Sequence, residues 1–125
     1  MLFNALIRTH HITSRKKVSA LKRAADTHRV AVLLRSGGCP GIMYVEGAER
    51  GQVEEWVGVV KRLRYKDFQL VSKTGELVHE DAQSSASTRD KINVGLDEVE
   101  SVKEFGSAMA SKGIWGWWRR GMGYS

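Results

Sequence analysis

Three sets of side chains in this sequence have types and spacings suited to chemistry. His10 and His11 place two imidazoles side by side, Cys39 sits in the run Gly37-Gly38-Cys39-Pro40-Gly41, and Arg15, Lys16, Lys17, Arg23 and Arg35 concentrate cations near the first helix. Neighbouring residues of a strand project to opposite faces, so His10 and His11 are not expected to chelate one metal together. One of them packs at a strand end while the other faces solvent or caps the next turn. No CxxC, HExxH or paired-carboxylate spacing occurs elsewhere, and no metal or cofactor is expected. A nucleophilic Cys39 needs a nearby base to form thiolate, and the sequence shows none beside it. Its glycines do not match a phosphate-binding loop, since GxxxxGK[ST] is absent and Pro40 removes an amide donor. The expected protein is therefore non-catalytic.

Phosphate neutralisation needs several Lys or Arg on one surface rather than a unique spacing. Residues 1–35 hold eight Lys/Arg against the single acid Asp26, a local net of 8 − 1 = +7. The formal charge of the whole chain is +6, so the positive field belongs to its first third. The bland alternative is a solvated charged face. Lys61, Arg62, Arg64 and Lys66 form a second basic group, which also complements the C-terminal dipole of the helix it follows. Trp115, Trp117 and Trp118, beside Arg119 and Arg120, could stack on bases of single-stranded RNA. They could equally fold back and cover an open sheet face. The two readings exclude each other at any one indole.

The elements that position these groups follow from periodicity. Leu2 to Ile12 is apolar and β-compatible, and Thr13-Ser14 offers an N-cap for a helix from Arg15 to about His28, with Val18, Leu21 and Ala25 on one face. Val30 to Leu34 reads as a buried strand, Ile42 to Val45 as the strand across the glycine turn, and Phe68 to Val71 as a fourth. Gln52 to Arg64 carries the clearest helical stripe, Val53, Trp56, Val57, Val60 and Leu63. The order β-α-β-β-α-β predicts an α+β, ferredoxin-like plait, four strands with both helices on one face. Residues 74–94 turn polar and are expected to form a mobile loop. One additional C-terminal helix is expected from about Asp97 to Ala110, on Val99, Val102, Phe105 and Met109, with Glu98, Glu100 and Glu104 on its solvated face.

At 125 residues with 42% hydrophobic side chains, the chain fits one domain with a single core. One cysteine excludes an internal disulfide and suits a reducing interior, nuclear or cytoplasmic. The few apolar residues before Arg8 fall short of a signal-peptide core or a membrane span, so export and membrane association are not expected.

Several motifs carry a family resemblance. His10-His11-Ile12 with Ser14 and Lys16, the Gly38-x-Pro-Gly turn leading to Val45-Glu46-Gly47, and Leu63-Arg64-Tyr65-Lys66 resemble a domain found C-terminal to RWD domains. The same family includes the C-terminal domain of a U4/U6 small nuclear ribonucleoprotein splicing factor. The match runs from about Ile7 to Met109, with the polar segment as an insertion. It implies a ferredoxin-like fold and, from the splicing member, binding of RNA at a double-strand to single-strand boundary. Tyr65 stands where the family has Trp. This sequence holds no RWD domain ahead of the motif and no splicing-factor extension, so partners recruited by those regions fall outside the expectation.

The leading expectation is an RNA-binding module that grips phosphates through His10, His11, Arg15, Lys16, Lys17, Arg23 and Arg35, with Trp115, Trp117 and Trp118 as stacking candidates. The alternative is a protein-interaction adapter, with a sheet edge or the Trp tail docking a partner and charge steering the encounter. An acylphosphatase-like hydrolase rests on fold analogy alone, and no anion-cradling loop with a positioned Arg and Asn supports it.

Overall fold

Ser14 Oγ accepts a hydrogen bond from the Lys17 amide at 3.2 Å, and this cap starts helix α1, Arg15–His28, where the sequence places it. The computed structural model describes residues 1–80 and 92–124. Around α1 lie β1 (Phe3–Thr9), β2 (Ala31–Arg35), β3 (Gly41–Gly47), α2 (Arg50–Arg62) and β4 (Gln69–Glu76), followed by β5 (Gly95–Val99), α3 (Val102–Ser111) and α4 (Trp115–Met122). The strands form one sheet in the order β4-β1-β3-β2-β5. β1 runs antiparallel to both β3 and β4, β2 antiparallel to β3, and β5 parallel to β2.

Side-chain alternation splits the sheet between two cores. Ala5, Ile7, Met43 and Val45 face α1 and α2, where Leu21, Val53, Trp56 and Val60 close over them. The Trp56 indole nitrogen donates to the Leu21 carbonyl at 3.1 Å and ties α2 to α1. Leu6, Ile42 and Tyr44 face the other way, onto Phe105, Met109, Ile114, Trp118 and Met122 of the C-terminal helices. β3 lies at the centre with every residue buried.

The four-stranded ferredoxin-like plait with one additional C-terminal helix is thereby corrected. A fifth strand extends the sheet on β2, and two helices cover the face that a simple plait leaves open. Helix α3 starts later than its apolar spacing suggests because a capping box fixes the start: Ser101 Oγ accepts from the Glu104 amide at 3.0 Å, and Glu104 Oε1 accepts from the Ser101 amide at 3.2 Å. Glu98 belongs to β5 and Glu100 to its exit, so they are not on a helix face. The Trp tail is helix α4. Its first turn is held by the Glu80 carboxylate, which accepts from the amides of Gly116 at 2.8 Å and Trp117 at 3.1 Å and from Arg120 at 3.0 Å. Burial raises the affinity of that carboxylate for a proton, but the bonds from Trp117, Arg120 and Gly116 outweigh it and hold the group below the usual carboxylate range. Of the polar segment 74–94, residues 74–76 continue β4, while 81–91 lie outside the described residues. Among the described residues no helix is long and apolar enough to cross a membrane.

Gly41 opens β3 where β1 ends, and a Cβ there would run into Thr9 Oγ1 and come within 2.8 Å of Ile12 Cγ1. Gly41→Ala should therefore cost about 2 kcal/mol through overpacking, read from urea unfolding. A variant as stable as the parent would show that this corner yields easily.

Candidate interaction surface

Strand β1 stops at Thr9, so the alternation expected to separate His10 from His11 no longer applies there. Their rings lie 4.7 Å apart between centroids. The His10 amide donates to the Lys66 carbonyl, and the His10 carbonyl accepts from Gly41, which brings the Cys39 turn and Asp67 around one imidazole. Nδ1 of His10 lies 3.4 Å from Asp67 Oδ2 and 4.0 Å from Cys39 Sγ, at the edge of a cleft of about 520 Å³. Both contacts fall on the same ring nitrogen. A relay triad takes the proton on one ring nitrogen and is oriented through the other, and this cluster does not have that arrangement. Among the described residues no three metal-ligating groups converge.

The cations of the first third are only partly available. Arg15 makes a two-pronged pair with Glu98, at 3.0 and 2.6 Å, and Ser36 Oγ donates to the same carboxylate. Arg35 donates to the carbonyls of Glu100 at 2.8 Å and Pro40 at 2.9 Å and so braces the turn. Lys17 lies 4.9 Å from the centre of the Tyr65 ring, whose phenol burial pushes up to about 12. Lys16, Arg23 and His11 remain exposed.

The hydrogen bond from Arg15 holds the Glu98 carboxyl below its usual range, against burial and with help from Ser36 and the charges of Arg15 and Lys22. A depressed folded value means that the stabilisation is complete above the unfolded carboxyl value, about 4.3, and is lost as pH falls through the folded value. The stability gap between the protein and Glu98→Gln should thus stay constant above about pH 5 and close in more acidic solution. A gap that widens on acidification would contradict this pairing.

The three indoles divide. Trp118 is 4% exposed, and Trp117 packs edge-on to the Tyr44 ring at 5.8 Å, so both serve the core. Trp115 is 46% exposed, with the Arg119 guanidinium 4.6 Å from its ring centre. Under this layer lies a polar chain that composition alone did not single out. Asn4 Nδ2 donates to Tyr44 Oη at 3.4 Å, Tyr44 Oη donates to Glu46 Oε1 at 2.8 Å, and Lys112 Nζ approaches the same oxygen at 3.2 Å. Burial and then the Glu46 charge push the Tyr44 phenol well up, so it stays protonated as the donor. The available signal was a lone acid, Glu46, directly after the run Gly41-Ile42-Met43-Tyr44-Val45.

The outer side of β4 has no strand partner among the described residues. Beside it runs a groove of about 440 Å³ against α2, lined by Val57, Gly58 and Leu70 together with Arg50, Lys61 and Lys73. Arg50 donates to the Thr74 carbonyl at 2.9 Å and lies over the Phe3 ring, closing one end.

No protein-family model matches the sequence, and no curated protein does. Among solved structures, BlsA in its photo-activated state superimposes with a TM-score of 0.55 at 11% identity, over 93% of this chain and 81% of that one. The BLUF domain of BlrP1 does so with a TM-score of 0.54 at 12% identity, over 93% and 78%. The likeness shows the fold, a BLUF-like arrangement with the fifth strand and the C-terminal helix layer included. It overturns the RNA-binding reading, which rested on the basic first helix and its flanking strand ends, with the Trp tail as a stacking platform. The structural neighbours are BLUF domains rather than RNA-binding modules. In this chain Arg15 and Arg35 are engaged internally, and Trp117 and Trp118 fill the face that bases would have stacked on.

Proposed function

We propose that this chain is a non-catalytic protein-interaction adapter whose docking element is β4. One observation carries the reading: an eight-residue edge strand with its outer side unpaired among the described residues, beside an open groove. The strand shifts register twice against β1 between Leu70 and Gly75, and Arg50 takes the Thr74 carbonyl, but the remaining edge presents backbone donors and acceptors of the kind to which extended segments of other proteins add with main-chain hydrogen bonds. The non-catalytic half of the proposal is supported by the His10 cluster, where the thiol and the carboxylate meet the same ring nitrogen and no relay triad forms. The photo-activation named for BlsA is a property of that protein, and at 11% identity nothing beyond the fold carries over.

The test is selection of binders from a library of random ten-residue peptides on the purified domain, followed by amide hydrogen exchange of each complex. Slowed exchange concentrated in residues 69–76 is expected. Binders that protect the Trp115 surface or the His10 cleft instead would move the docking site away from β4 and sink the assignment.

A further inference from the structure

The groove beside β4 says more than that a strand can dock. Its floor is apolar: Val57 is buried, Leu70 is half-buried, and between them Gly58 leaves a notch where an added Cβ would meet only the tip of Arg62, at 3.3 Å. Its rim is basic. Among the described residues neither Lys61 nor Lys73 has an ion-pair partner, and both are exposed, while the groove's one acid is Glu54. Because Arg50 bonds to Thr74 at the start of α2, Lys61, about three turns further on, lies toward the Leu70 end and Lys73 toward the Arg50 end. The two uncommitted ammonium groups thus flank the notch from opposite ends.

We infer that this groove takes an extended acidic segment of a partner protein, of the pattern acid-x-apolar-x-acid. This rests on the adapter reading of β4 and names the chemistry of its partner. In an added strand, residues two apart share a face. A central apolar side chain then drops onto the notch at Gly58, and the acids two positions to either side, about 13 Å apart, reach Lys61 and Lys73. The intervening residues turn to the other face. Lysines on an edge repel another cationic edge. A second copy of this chain would bring its own Lys61 and Lys73 to the groove, whereas an acidic strand is attracted to it.

The test uses the whole chain and three blocked, fluorescein-labelled peptides: Ser-Glu-Thr-Val-Thr-Glu-Ser, and the same sequence with both Glu replaced by Gln or by Lys. Saturable binding of the Glu peptide is expected, weakening as salt rises and at least tenfold tighter than that of the Gln peptide, with none for the Lys peptide. Two variants, each verified as folded by circular dichroism, should lose tenfold or more: Lys61→Glu combined with Lys73→Glu, and Gly58→Leu, which fills the notch once the flexible tip of Arg62 moves aside. Equal binding of the Gln or Lys peptide with slowed exchange in β4 would overturn the acidic specificity and leave the adapter reading standing. Failure of every peptide to bind or to slow exchange in β4 would overturn both. Unchanged binding in the two variants would place the segment elsewhere and overturn the inference, as would a concentration-dependent dimer that excludes the Glu peptide.

Discussion

Trp118→Ala is expected to lower the unfolding free energy by about 4 kcal/mol. The indole is 4% exposed, its ring stacks on Phe105 at 5.9 Å between centroids, and Tyr124 meets it edge-on at 5.5 Å. α3 comes close enough that a Cβ on Gly106 would lie 3.0 Å from the indole. Removing so large a side chain between two helices and the sheet loses its transfer free energy and leaves a void that its neighbours fill only partly. Trp118→Phe should cost much less, about 1 kcal/mol, because the indole Nε1 is buried without a hydrogen-bond partner and its loss strands nothing. Chemical denaturation of the two variants measures both numbers. If alanine costs under about 1 kcal/mol, the indole is not holding the C-terminal layer to the sheet. The same packing means that deleting residues 113–125 strips one face of the core. It would not probe a docking tail in an otherwise intact domain.

Lys112→Met should cost about 2 kcal/mol, less than the roughly 3–5 kcal/mol of breaking a fully buried ion pair, because the Lys112 side chain is 35% exposed while that of Glu46 is 6% exposed. Methionine keeps the apolar length of the stem and removes the ammonium group, with its 5.8 Å approach to the centre of the Tyr44 ring. Glu46 then retains the Tyr44 hydroxyl, at 2.8 Å, as its side-chain partner among the described residues of a buried strand. The double variant Lys112→Met with Glu46→Gln should lose clearly less than the two single losses summed, since neither partner leaves the other stranded. Strict additivity in that cycle would mean that Lys112 and Glu46 do not interact, and would remove the electrostatic tie between α3 and β3.

The parts of the fold legible in the sequence are those where a local signal and the long-range packing agree. Ser14 caps the helix that begins beside it, and the stripe from Val53 to Val60 is the face that packs on the sheet. β5 was hidden because it is a polar edge strand: Leu96 and Val99 pack inward, but Asp97 and Glu98 lie between them and erase the alternation. Spacing of Val99 with Val102 then mimicked a longer helix across Ser101, the residue that caps α3. A further signal went unused, since Ile42 to Val45 is apolar on both faces and a strand apolar on both faces needs two covering layers. The candidate site was least legible of all. Gly58, Lys61, Leu70 and Lys73 look unremarkable one by one, and only the packing of α2 beside an edge strand gathers them into a groove. The His10 cluster depended on where β1 stops, a boundary of two or three residues that sequence patterns do not resolve.

The helices that cover the second face follow β1 to β4 in the sequence, and that has a consequence for synthesis. Emerging from the ribosome N-terminus first, the nascent polypeptide can assemble β1 to β4 with α1 and α2 while Leu6, Ile42 and Tyr44 still await Phe105, Met109 and Trp118. Until translation reaches those residues, one side of the growing sheet is a bare apolar surface, the kind of transient exposure that chaperones bind and that drives aggregation.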